Sequence, residues 1–170
     1  MLNFNRLVIV GVVGMLGLAA SGVAHGNERG EAKATIGGAT VAIDYGRPML
    51  KGRDLMKLIP PGAVWRIGAD APTTIDSDAD LDFGGTRVPK GKHILLAHYI
   101  GLGKWSLVVS SKPASQYDPE AKLAEIPTEV QEGKDSVEEV AIQLSAKGGH
   151  GVIEIAWGTM RIVGSFSAAK

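Results

Sequence analysis

From residue 40 onward almost every apolar segment of this chain repeats with a period of two, and that pattern limits the fold more than any other feature. Val41, Ile43 and Tyr45 alternate with Thr40, Ala42 and Asp44, and Ala63, Trp65 and Ile67 alternate with Val64, Arg66 and Gly68. Successive side chains of a strand point to opposite faces, so such segments read as strands with one buried face. Leu81 and Phe83 lead into Gly84-Gly85 and then Thr86 and Val88, a two-residue hairpin signal. Pro89-Lys90-Gly91 turns into a long strand, Lys92 to Ile100, and Gly101 to Gly103 closes a hairpin onto Trp105, Leu107 and Val109. Val140, Ile142 and Leu144 form another apolar face. Gly148 to Gly151 turns, Ile153, Ile155 and Trp157 return, and a last strand runs Met160 to Phe166. Two short helical pieces interrupt the pattern, one capped by Asp54 and stopped at Pro60-Pro61, the other opened by Asp118-Pro119. Turn signals roughly every 8–12 residues predict an all-β fold, an antiparallel β-sandwich in preference to a barrel.

The chain has 170 residues, room for one domain with its own core, and 45% of them are hydrophobic. Its 23 glycines suit many tight turns rather than long helices. Cysteine is absent, which removes disulfides, thiol nucleophiles and thiolate metal sites together. Burial alone must therefore hold the domain, and two packed apolar sheet faces supply it. Basic and acidic side chains number 18 each, so no overall field draws the protein to nucleic acid or to an anionic membrane.

The first 24 residues set the expected compartment. Arg6 is the only charge ahead of an apolar stretch, Leu7 to Ala20, which grades into Ser21-Gly22-Val23-Ala24. A positive start, an apolar centre and small residues at Gly22 and Ala24 read as a signal peptide, residues 1–24, cleaved after Ala24. The alternative is an uncleaved anchor, since Leu7 to Ala24 approaches the length of a membrane span. Cleavage predicts an exported protein, periplasmic or extracellular, that meets the membrane only through this segment. Residues 25–33 read as a flexible charged leader and residues 34–168 as the single β-sandwich domain.

No catalytic or cofactor signature stands out. His93 and His98 lie five apart on one strand and so point to opposite faces, which prevents chelation of one ion. Asp76, Asp78, Asp80 and Asp82 recur at every second position. However, a helix–loop–helix calcium loop would need glycine where Leu81 stands and glutamate where Arg87 stands. A nucleophile elbow, a phosphate-binding loop and a dinucleotide fingerprint are all missing, so no cofactor and no metal are expected.

One polar patch remains. Arg47 leaves a strand through Gly46 into Pro48, Arg53 follows Gly52, and alternation sends Arg66 to the face opposite Trp65. Arg47, Arg53 and Arg66 can thus converge beside Asp44, Tyr45 and Asp70. Guanidinium groups recognise carboxylates and phosphates through paired hydrogen bonds, so this surface is expected to bind a small polar or anionic ligand, or an envelope protein. Two other readings stay open: the arginines pair with the aspartates and tie the loops down, or Asp44 or Asp70 works with Tyr45 in an exported hydrolase or isomerase.

The same residues carry a family resemblance. Asp44-Tyr45-x-Arg47-Pro48, Lys51-Gly52-Arg53, Trp65-Arg66-x-Gly68-Ala69 and Pro89-x-Gly91-Lys92 follow one another in order. That series resembles the exported bacterial proteins of domain-of-unknown-function family 2911. The resemblance is firm from Ala34 to about Ser111 and extends weakly to Trp157-Gly158. Members commonly read Ala-Asn-Glu where this chain has Ala69-Asp70-Ala71, so the acidic residue is missing at Ala71, which weakens any claim that this loop holds a catalytic acid or metal. The resemblance implies export and a compact β domain, and it implies no activity.

Overall fold

Gly37 and Gly38, at φ 57° and 91°, turn the chain between its first two strands, the left-handed pair that a two-residue hairpin matched to strand twist requires. These strands are β1 (Arg29–Ile36) and β2 (Ala39–Gly46), and the computed structural model describes residues 26–170. The proposed signal peptide, residues 1–24, lies outside the described residues. The leader read over residues 25–33 needs correction, because β1 begins at Arg29 and pairs along its whole length with β2. Gly30, Ala32, Ala34 and Ile36 face inward while Arg29, Glu31, Lys33 and Thr35 face solvent. The inward residues are mostly small, so alternation is present without a hydrophobic signature.

The remaining strands are β3 (Val64–Trp65), β4 (Thr74–Ser77), β5 (Leu81–Phe83), β6 (Thr86–Val88), β7 (Gly91–Gly101), β8 (Lys104–Ser110), β9 (Lys122–Pro127), β10 (Glu129–Lys147) and β11 (His150–Ala168). One sheet runs β1-β2-β4-β7-β8-β9, with β3 on the same edge of β7 as β4, and the other runs β10-β11-β5-β6. Every pairing is antiparallel, and the two sheets pack face to face as the alternation predicts. Val41, Ile43, Leu95, Leu107 and Val109 of the first sheet meet Phe83, Val140, Ile153, Ile155 and Ile162 of the second in one core. The helical turn α1 (Leu55–Leu58) starts where the Asp54 carboxylate accepts from the Met56 amide, and Asp118 likewise caps a 3₁₀ turn at Pro119–Ala121.

Two strands differ from expectation. The last strand does not start at Met160, because β11 runs unbroken from His150, with Gly158 at φ 58° absorbing a bend. Its partner β10 starts at Glu129, where polar side chains hide it from a pattern search, and its pairing shifts register twice between Glu132 and Ala141. Over residues 129–138 most β10 side chains are exposed, and Val130, Gln131, Glu132 and Ser136 line one wall of a cleft.

The motif loops cross at glycines. A Cβ on Gly46 would strike the Ala69 carbonyl and stand 2.8 Å from its amide, and one on Gly68 would stand 2.9 Å from the Gly46 carbonyl. The segment after β2 and the segment after β3 therefore touch backbone to backbone, and neither site admits a side chain.

A candidate ligand cleft beside the tryptophan cluster

Alternation along β2 separates two of the expected site residues. Tyr45 points into the core, where its hydroxyl accepts from the Ile142 amide at 3.0 Å and reaches the Ile142 carbonyl at 3.5 Å. It thereby extends the contact along the outer edge of β10, where Met49 bridges Glu139, while the other edge of β10 pairs with β11. Asp44 points the other way and pairs with Arg29. The pairing of Asp44 with Tyr45 that a catalytic reading needs does not form.

The three arginines also part company. The Arg47 guanidinium bonds Glu139 at 2.6 Å and lies 3.7 Å from Glu28, while its backbone amide donates to the Glu28 carbonyl. It stitches the start of β1 to β10. Arg66 is exposed and borders a small niche with Asp70, Thr73 and Ser115. Asp70 accepts from the Asn27 backbone amide at 2.7 Å and from its side-chain amide at 3.1 Å. The backbone bond from Asn27 is the main reason its carboxyl sits below the usual carboxylate range. Ile67, fully buried between these residues, stands at φ 62°, and Asp70 stands at φ 60°. A branched residue in the left-handed region stores roughly 1–2 kcal/mol of strain.

Arg53 opens on a separate and larger concavity. Its guanidinium donates to the backbone carbonyls of Leu50 and Met49, and its central carbon lies 5.7 Å from the Trp157 ring centroid. Behind it, Trp157 stacks on Trp65 with centroids 5.5 Å apart. Trp65 meets Trp105 edge to face at 6.1 Å, and Tyr99 stacks on Trp105 at 4.7 Å. Two members of this cluster, Trp105 and Trp157, form the inner wall of a cleft of about 590 Å³. Leu50, Leu55, Met56 and Met160 add apolar surface, and Asp54, Gln131, Glu132, Ser136 and Thr159 share the polar part of the lining with Arg53. The size and the mixture of apolar wall with a few polar groups match sites for small molecules.

Two buried side-chain polar atoms have no hydrogen-bond partner among the described residues, Trp105 Nε1 and Thr73 Oγ1. Trp105 lines the cleft and Thr73 lines the Arg66 niche. Buried donors are almost always paired, so two orphans at two concavities mark both for attention.

Of the residues expected from sequence to form one surface, Arg53 alone lines the cleft, Arg66 and Asp70 share the niche, and Asp44, Tyr45 and Arg47 serve contacts within the domain. Sequence reasoning passed over Trp105, Trp157 and Met160 as ordinary strand residues. The usable signal was that the chain's three tryptophans all sit at inward positions of apolar strands. The aspartates at 76 to 82 take turn and loop contacts: Asp78 accepts from Thr40, Asp80 from Lys90, and Asp82 from Gly85.

Fold and site together define a two-sheet antiparallel β domain with an aromatic-walled cleft between a loop and the exposed start of β10. The chain belongs to the family described as Protein of unknown function (DUF2911), whose model matches residues 27–166. The match extends past the firm part of the sequence resemblance at both ends and takes in β1 and most of β11. No curated protein and no solved structure matches the chain.

Proposed function

We propose that this protein is an exported, non-catalytic binding domain, and that its ligand is a small molecule with an apolar body and an anionic or polar end. The supporting observation is the cleft beside Trp157, where one cation held by two backbone carbonyls stands over an apolar wall. With two N–H groups spent on Leu50 and Met49, the outer edge of the Arg53 guanidinium is left to meet a carboxylate or phosphate. The apolar body then lies against Leu50, Leu55 and Met160. The carbonyl bonds fix the guanidinium in advance, which lowers the ordering cost of binding. Export rests on the N-terminal segment alone, with its single Arg6 and small-residue exit.

The test is a thermal-shift screen of the mature chain, residues 25–170, against aliphatic and aromatic carboxylates, sugars and phosphate esters. An apolar-bodied carboxylate at a hundred times its Kd stabilises by about 2.7 kcal/mol. Arg53→Ala removes that shift and Arg47→Ala keeps it. A shift lost in Arg47→Ala but kept in Arg53→Ala puts the site elsewhere.

A further inference from the structure

The Arg66 niche carries a second reading that does not depend on the cleft. It encloses about 80 Å³, the room of a compact ion rather than a sugar or a lipid chain, since one water takes about 30 Å³. Its floor is the buried pair Thr73 and Leu96, and the Thr73 hydroxyl has no partner among the described residues. Arg66 enters no ion pair among the described residues, although Asp70 is close enough to feel its charge. Ser115 adds a hydroxyl on the far side. The Thr73 oxygen is itself sealed from solvent, so the niche opens onto a guanidinium and one hydroxyl able to donate.

One acceptor faces them. Both Asn27 bonds land on Asp70 Oδ2, so Oδ1 is left to accept a hydrogen bond from a ligand. This carboxylate repels a fully deprotonated anion and favours one that keeps an O–H. Two donor groups and one charged acceptor around a compact space therefore select a tetrahedral oxyanion with a proton still on it. We propose that the niche binds a protonated phosphate group, free or at the end of a phosphomonoester, and discriminates against sulfate. Arg66 meets two phosphate oxygens, Ser115 donates to one of them, and the phosphate O–H donates to Asp70. The strained turn through Ile67 holds Arg66 and Asp70 on the same side of the loop.

Calorimetric titration of the mature chain, residues 25–170, at about pH 6, where inorganic phosphate and methyl phosphate both keep a proton on a sizeable fraction, tests this directly. Phosphate binds with one site, and sulfate at equal ionic strength binds at least about tenfold more weakly. Arg66→Gln, an exposed change that leaves the melting temperature in place, removes phosphate binding, and Asp70→Asn brings sulfate to within about threefold of phosphate. Methyl phosphate binding as tightly as phosphate marks a phosphomonoester end as the occupant, and weaker binding marks free phosphate. No phosphate heat up to about 10 mM, equal binding of sulfate by the unaltered protein, or unchanged binding by Arg66→Gln overturns the proposal.

Discussion

Replacing Tyr45 by phenylalanine removes one buried oxygen and leaves the ring, which makes it a clean probe of what the Asp-Tyr-x-Arg-Pro segment does. The hydroxyl accepts from the Ile142 amide at 3.0 Å and sits 3.5 Å from the Ile142 carbonyl. Tyr45 is 6% exposed, so water cannot readily replace the lost oxygen. The net value of a hydrogen bond is about 1 kcal/mol, and stranding a buried donor raises the cost to about 1–3 kcal/mol. Only the shorter contact has good geometry, which puts the expected loss near 2 kcal/mol. For a domain of this size each kcal/mol moves the melting temperature by about 3 °C, so Tyr45→Phe should melt roughly 6 °C lower. Urea unfolding should show a lower midpoint with an unchanged slope, because the exposed surface is the same. Cleft ligands should still bind. A melting temperature within about 1 °C of the unaltered protein would refute the assignment of Tyr45 as the tie between sheets.

Three further outcomes follow from local geometry. Gly46→Ala forces a Cβ into the Ala69 backbone and should cost more than about 3 kcal/mol or prevent folding, read by circular dichroism and melting. Leu102 is 97% exposed at φ 52° in a two-residue hairpin, so Leu102→Asn should stabilise by about 1 kcal/mol in urea titrations. Burial alone would raise the Glu125 carboxyl, but bonds from Lys122, Ser106 and His98 outweigh it and lower its pKa to about 2. A depressed carboxylate contributes stability above its unfolded value near 4.3 and loses it as pH falls toward the folded value. Unfolding at stepped pH should therefore show on the order of 2 kcal/mol lost between about pH 5 and pH 2, and Glu125→Gln should flatten that slope.

The sandwich was legible because Val41, Ile43, Tyr45, Leu107, Ile153 and Ile155 alternate strictly and glycine pairs mark the hairpins. Strand β1 escaped notice because its inward residues include Gly30 and Ala32, and Gly30 is small so that the Tyr45 ring can pass over it. The first half of β10 escaped because its side chains stay out of the core, with Glu129, Gln131 and Glu132 exposed. The arginine loops were located correctly as the departure from sheet-building, but their partners come from distant segments. Glu139 meets Arg47 from β10, Trp157 meets Arg53 from β11, and Asn27 meets Asp70 from ahead of β1. No local pattern encodes those meetings, since they arise from how the two sheets stack.

The central claim is that ligand enters against Trp157 under the Arg53 guanidinium. All three tryptophans surround that place, so the indole N–H resonances of the labelled domain give three signals that report on it and its surroundings. With a stabilising ligand from the screen, the Trp157 and Trp105 signals should shift in a saturable way, and Arg53→Ala should abolish the shift. Saturable binding that leaves all three indole signals in place would contradict the claim.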